Sequence, residues 1–142
     1  MATEVQDHPL EEPEVLAIAR FRFALRRFEK TTDAIIRTCG LTPQRYLLLL
    51  AVCSGSVDGG TATVSGIGRD LQMPQTTVTD LVARAVDVGL LEKAAVADDG
   101  RIARITLTQE GHARLTRTIR RLQRERTDLQ QALIEALQAY PD

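Results

Sequence analysis

Residues 65–107 read SGIGRDLQMPQTTVTDLVARAVDVGLLEKAAVADDGRIARITL. Ser65 is a helix-capping residue, and the stretch after it fits a short helix ending near Leu71. Gly66 and Gly68 weaken it, each costing about 1 kcal/mol relative to Ala in a helix interior and less near its start. Pro74 opens a second helix, since its missing N–H falls where no intrahelical bond forms. Val78, Leu81, Val82, Ala85 and Val88 share one stripe of that helix and Gly89 is a natural stop. Leu90–Val96 and Arg101–Leu107 then read as strands joined through Asp99-Gly100, a hairpin-turn signal. Two helices and then a hairpin, in that order, are the layout of a winged helix-turn-helix. The expected fold class is mainly α with a small antiparallel β-hairpin wing, flanked by long N- and C-terminal helices.

Upstream, a long helix starts at Glu14, with Ile18, Phe21, Leu25, Phe28, Thr32, Ile35 and Cys39 forming a seam spaced three and four apart. Gly40 ends it as a left-handed cap. Thr42 and Pro43 cap and start a strongly apolar helix, Gln44–Ser54, that is expected to be the hub of the core. A loop over 55–60 leads to a short edge strand, Thr61–Val64. Thr108 caps a final helix with no Pro or Gly between His112 and Tyr140, so about 30 residues can run some 45 Å. Its apolar side carries Leu115, Ile119, Leu122, Leu129, Leu133 and Leu137, and most of it stays exposed unless a second chain covers it. That pattern implies a homodimer built from both chain ends. The expected organisation is an acidic arm (1–13), a helical dimerisation region (14–39 and 108–142) and a winged lobe (40–107).

A chain of 142 residues, 44% hydrophobic and 26% charged, is one domain's worth with enough material for a core. The longest apolar run, Tyr46 to Cys53, is too short to span a bilayer, and no basic-then-apolar signal opens the chain. A cytoplasmic protein is expected. Cys39 and Cys53, two thiols without a secretory signal, read as buried small hydrophobes more readily than as a disulfide or redox pair. His8 and His112 form no ligand pattern with them, so no metal or other cofactor is expected. An enzyme is the poorest reading: the sequence has no Gly-rich phosphate loop, no clustered acid and base, and no nucleophile beside a histidine.

The net charge of −1 hides a polar distribution. Residues 1–14 carry five acids and no base, whereas residues 15–45 carry seven bases against two acids. Residues 61–109 hold five bases against six acids, an unusual balance for a DNA reader. That balance keeps an alternative open, a winged-helix module that binds another protein and no DNA.

Five stretches, Gly40-Leu41-Thr42-Pro43-Gln44, Thr77-Val78-Thr79-Asp80-Leu81-Val82, Gly89-Leu90-Leu91-Glu92-Lys93, Asp98-Asp99-Gly100-Arg101 and Leu107-Thr108-Gln109-Glu110-Gly111, stand in the order and spacing seen in MarR-family transcriptional regulators. Over about residues 14–130 the chain resembles that family. The resemblance implies a dimeric repressor, occasionally an activator, on a pseudo-palindromic operator, often released by a small phenolic or other lipophilic anion. It makes Pro74 to Val88 the recognition helix and places the family's wing signature on Asp99 and Arg101, the acid holding the arginine towards the minor groove. Asp80 and Pro74 depart from the family's usual residues, and the C-terminus is shorter by about one helix. Peroxide-sensing members carry a thiol near the start of the first helix; Cys39 closes that helix, so redox sensing does not carry over.

Candidate DNA contacts fall on the second helix and the wing. Thr76, Thr77 and Thr79 occupy the first turns of the recognition helix, where hydroxyls meet phosphate or base and methyls meet thymine; Gln75 can pair with adenine. Asp80 points outward, repelling phosphate but able to accept from cytosine. Arg84 either clamps a phosphate or pairs with Asp80 four residues earlier. Arg101 reaches the minor groove or its phosphates, or pairs with Asp99; Gly100 shapes the turn. Arg69 and Arg45 are candidate backbone contacts, or plain surface charge. Arg114, Arg117, Arg121 and Arg124 belong to the dimer-region surface or line an anion-binding cleft.

Overall fold

A computed structural model describes residues 9–96 and 99–139, without the side chains of Asp58, Val96 and residues 99–101. In chain order the elements are α1 (Glu12–Thr38), α2 (Pro43–Gly55), a 3-10 turn (Val57–Gly59), α3 (Val64–Leu71), α4 (Gln75–Asp87), β1 (Leu91–Val96), β2 (Asp99–Leu107), α5 (Gln109–Arg121) and α6 (Gln123–Gln138). Mainly helical with one antiparallel hairpin, this is the fold class expected from the residues. Two compact units emerge, one spanning Asp33–Leu122 and the other made of the chain up to Thr32 and from Gln123 onward. The first of these takes in α5 along with residues 40–107, because Leu115 and Leu122 are buried in its core.

That core is built on α2, whose Leu48, Leu49 and Val52 have no exposed surface. Around them pack Ile67 of α3, Val78, Val82 and Ala85 of α4, Leu90, Leu91, Ile105 and Leu115. Thr42 caps α2 as expected, its Oγ1 accepting from the Arg45 N–H at 3.1 Å, with Pro43 in the first turn. Gly40 and Gly89 both take positive φ, +77° and +78°, at the ends of α1 and α4. β1 pairs with β2 from Leu91↔Leu107 to Ala95↔Ala103, after which the register shifts to Val96↔Asp99.

Several sequence boundaries move. The first helix starts two residues early, taking in Pro13, and Ile18 is 46% exposed while Ala17 and Ala24 are buried. Further along the same helix Thr32, Ile36 and Cys39 are buried as well. The cap of α3 is Thr63, not Ser65: its Oγ1 accepts from the Gly66 N–H at 3.1 Å. Pro74 is the extended residue before α4 rather than its first helical position, and Val88 at the far end is 49% exposed. The edge strand shrinks to one bridge, Ala62 to Ile105, where the Ile105 N–H donates to the Ala62 carbonyl at 3.0 Å. Asp99 and Gly100 belong to β2, and residues 97–98, which precede them, lie outside the described residues.

The long final helix is broken at Leu122, with α5 on one side and α6 on the other. No proline or glycine marks the break. Leu122 is 2% exposed, and the Thr118 hydroxyl donates to the Arg114 carbonyl at 2.7 Å, a back-bond of the kind that bends helices. The Leu122 N–H still donates to the Thr118 carbonyl at 3.0 Å, so the interruption is one residue long.

Candidate nucleic-acid interface

In α4 one face is apolar and the other polar, as the period of 3.6 requires. Val78, Val82 and Ala85 are essentially inaccessible, while Gln75, Thr76, Thr77, Thr79, Asp80, Ala83, Arg84 and Asp87 are exposed. Six of the residues singled out from sequence thus stand on the exposed side of one 13-residue helix.

The turn before α4 fixes its approach to α3. Gln72 takes the left-handed conformation (φ 53°, ψ 46°), and the Met73 N–H donates to the Gly68 carbonyl at 2.9 Å. A Cβ at position 68 would lie 3.0 Å from the Met73 carbonyl oxygen and 3.7 Å from Val78 Cγ2. Gly68, which weakens α3 as an isolated helix, is what lets the turn and α4 close onto it.

Two contacts define the chemistry of the exposed face. The Thr79 hydroxyl donates to the Gln75 carbonyl at 2.9 Å, leaving lone pairs and a methyl group for anything outside. Asp80 and Arg84 form an ion pair, Oδ2 to Nη2 at 3.0 Å, with side chains 62% and 66% exposed. Of the two alternatives left open by the sequence, the free protein adopts the pair.

Arg69 lies exposed in the last turn of α3. Arg45, half-buried in the first turn of α2, uses its N–H on the Thr42 cap. The backbone of Arg101 is in β2; its side chain, and with it the expected link to Asp99, lies outside the described residues. Arg104 is a residue that sequence reasoning missed. It stands exposed on β2 and donates from Nη2 to Thr61 Oγ1 at 3.4 Å, on the opposite face of the strand from buried Ile105. Strand alternation past the turn is the signal that could have found it. Of the arginine run on the final helix, Arg114 is committed to structure: Nη1 donates to the Gly40 carbonyl at 2.9 Å and Nε to Glu110 at 2.7 Å.

Both thiols are free, Cys39 buried and Cys53 half-buried. Among the described residues no cluster of three or more His, Cys, Asp or Glu could hold a metal, and no helix is long and apolar enough to cross a membrane.

These features have counterparts among known proteins. The MarR family profile matches residues 40–102, which span α2 to the start of β2. No curated protein sequence matches the chain. Among solved structures, the transcriptional regulator MOSR of M. tuberculosis, crystallised in complex with DNA, is similar at 25% identity and TM-score 0.60, over 76% of this chain and 75% of that one. AbsC, a MarR family transcriptional regulator from Streptomyces coelicolor, shares the fold at 15% identity and TM-score 0.68, over 90% and 83%. A mutant of E. coli MarR complexed with operator DNA does so at 15% identity and TM-score 0.66, over 85% of both chains. The family profile thus lies on the helix-turn-helix and wing, and solved MarR-family transcriptional regulators share the winged-helix fold around it.

Proposed function

We propose that the chain works as a homodimer, a repressor that binds a pseudo-palindromic operator by setting two copies of α4 into successive major grooves, roughly 34–36 Å apart. The observation that carries this reading is the polar exposed face of α4 opposite its buried Val78, Val82 and Ala85 stripe. Gln75, Thr76, Thr77 and Thr79 meet base edges and phosphates from the first turns, and Arg101, steadied by Asp99 and Gly100, takes the minor groove beside it. Arg69, Arg45 and Arg104 add phosphate contacts.

Apolar surface near the chain ends supports the dimer. Val15, Leu16, Ile18 and Phe23 of α1 and Leu133, Ile134 and Leu137 of α6 are between 38% and 74% exposed, apolar surface of the kind that marks an interaction site where it is contiguous. A second copy covers it. A small lipophilic or phenolic anion then releases DNA by changing the separation of the two α4 helices; thermal shifts with aromatic carboxylates test that step.

Selection of binding sites from random duplexes tests the whole reading, with an inverted repeat as the expected result. Salt dependence separates it from a protein-binding module: a dimer that neutralises about 6–10 phosphates loses roughly 10³–10⁵ in affinity between about 50 and 200 mM salt. Absence of any duplex selection at low salt favours the protein-binding module, which the excess of acids over bases in residues 61–109 suits.

A further inference from the structure

We infer that Asp80 and Arg84 act as one reading unit for a G·C pair, with Asp80 as the positioning residue and Arg84 as the group that touches guanine. The inference rests on the DNA-binding reading above and specifies what its central residues recognise.

Three observations lead there. The first is direction. A helical side chain already leans towards the N-terminus of its helix. The 3.0 Å ion pair draws the Arg84 guanidinium four residues, roughly 6 Å, along the axis towards the helix start, where Gln75, Thr76, Thr77 and Thr79 are. Unpaired, an arginine in the tenth of 13 positions is free to swing to the flanking phosphates.

The second is charge. The pair is neutral as a whole, and the carboxylate repels phosphate, so it adds little to sequence-independent affinity. With both side chains more than 60% exposed it also adds little to the stability of the fold. What remains for it is recognition of base edges, where direction matters more than net charge.

The third is hydrogen-bond capacity. A guanidinium has five N–H groups, and Asp80 Oδ2 engages Nη2. Two further N–H groups suffice for the O6 and N7 acceptors of guanine, so the ion pair and the base contact coexist. A·T is a poor substitute, because adenine offers an amino group beside N7 where guanine offers two acceptors.

The test is selection from random duplexes with the wild-type protein, Asp80→Asn and Asp80→Glu, together with salt titrations of each on its best site. Both side chains lie on the surface, so the variants fold. Expected are a guanine preference at one position of each half-site in the wild type, roughly 5- to 150-fold over other bases, its loss in Asp80→Asn, and its retention in Asp80→Glu, which still pairs at i,i+4. Asp80→Asn should also bind scrambled duplex more tightly, with a salt slope steeper by about 1 per protomer as Arg84 turns to a phosphate. Identical base preferences in wild type and Asp80→Asn overturn the reading unit and leave DNA binding intact; a wild type that selects no sequence overturns both.

Discussion

Replacing Gly111 by alanine sets two physical effects against each other, and the geometry decides the sign. Gly111 is the third residue of α5, and alanine there gains up to about 1 kcal/mol of helix propensity. A Cβ at this position, however, would overlap the Leu90 carbonyl oxygen and lie 3.0 Å from its carbonyl carbon. Leu90 cannot step aside: its side chain is fully buried, its N–H donates to the Ala85 carbonyl at 2.9 Å, and its carbonyl accepts from the Thr108 N–H at 3.1 Å. Thr108 is also the cap of α5, donating to the Gly89 carbonyl at 2.6 Å and accepting from the Gly111 N–H at 3.0 Å. Overpacking against such a neighbour costs about 1–3 kcal/mol or more, and a disturbed cap about 1 kcal/mol further. The net expectation is a loss of about 2–3 kcal/mol. In urea, with a slope of about 1–3 kcal/mol per molar, the midpoint falls by roughly 1 M or more at equal protomer concentration. His112→Ala, at the exposed next position, should stay within about 0.5 kcal/mol. A midpoint for Gly111→Ala equal to or above that of the wild type would refute the close approach of α5 to Leu90.

The cap of α3 gives a second test: Thr63→Ala should lower stability by about 1 kcal/mol while Ser65→Ala leaves it within about 0.5 kcal/mol, as read by denaturant titration. Leu48→Ala, at the centre of the core, should cost about 2–5 kcal/mol by the same assay, and a smaller loss would mean that α2 is not the hub. Arg101→Ala should weaken duplex binding by about 1–3 kcal/mol in fluorescence anisotropy with an unchanged melting temperature, and full affinity would remove the arginine from the interface.

Features that depend on a few adjacent residues were legible in the sequence. Gly40, Thr42, Pro43 and Gly89 announce helix ends because a positive φ, a hydroxyl cap and a missing N–H are local requirements, and all four sit at such ends. The polar face of α4 was legible for the same reason, through a period of 3.6. What sequence did not disclose was decided by contacts far along the chain. Thr63 and Ser65 are equally able caps, and which one faces the free amide of Gly66 depends on how the segment after Ala62 meets β2. The interruption at Leu122 has no breaker residue to announce it. Gly66 and Gly68 count as weakness in an isolated helix, and only the packed turn shows the use of Gly68. The Asp80 and Arg84 spacing allowed an ion pair without requiring one, and the free protein forms it with both side chains on the same exposed face.

Hydroxyl-radical and methylation protection on a selected duplex, with the mass of the complex measured alongside, tests the proposed mode of binding most directly. Two protomers per duplex, protecting two major-groove patches about 10–10.5 base pairs apart on one face, is the predicted result. A single protomer on the duplex, or protection confined to one groove segment without its symmetric mate, would contradict it.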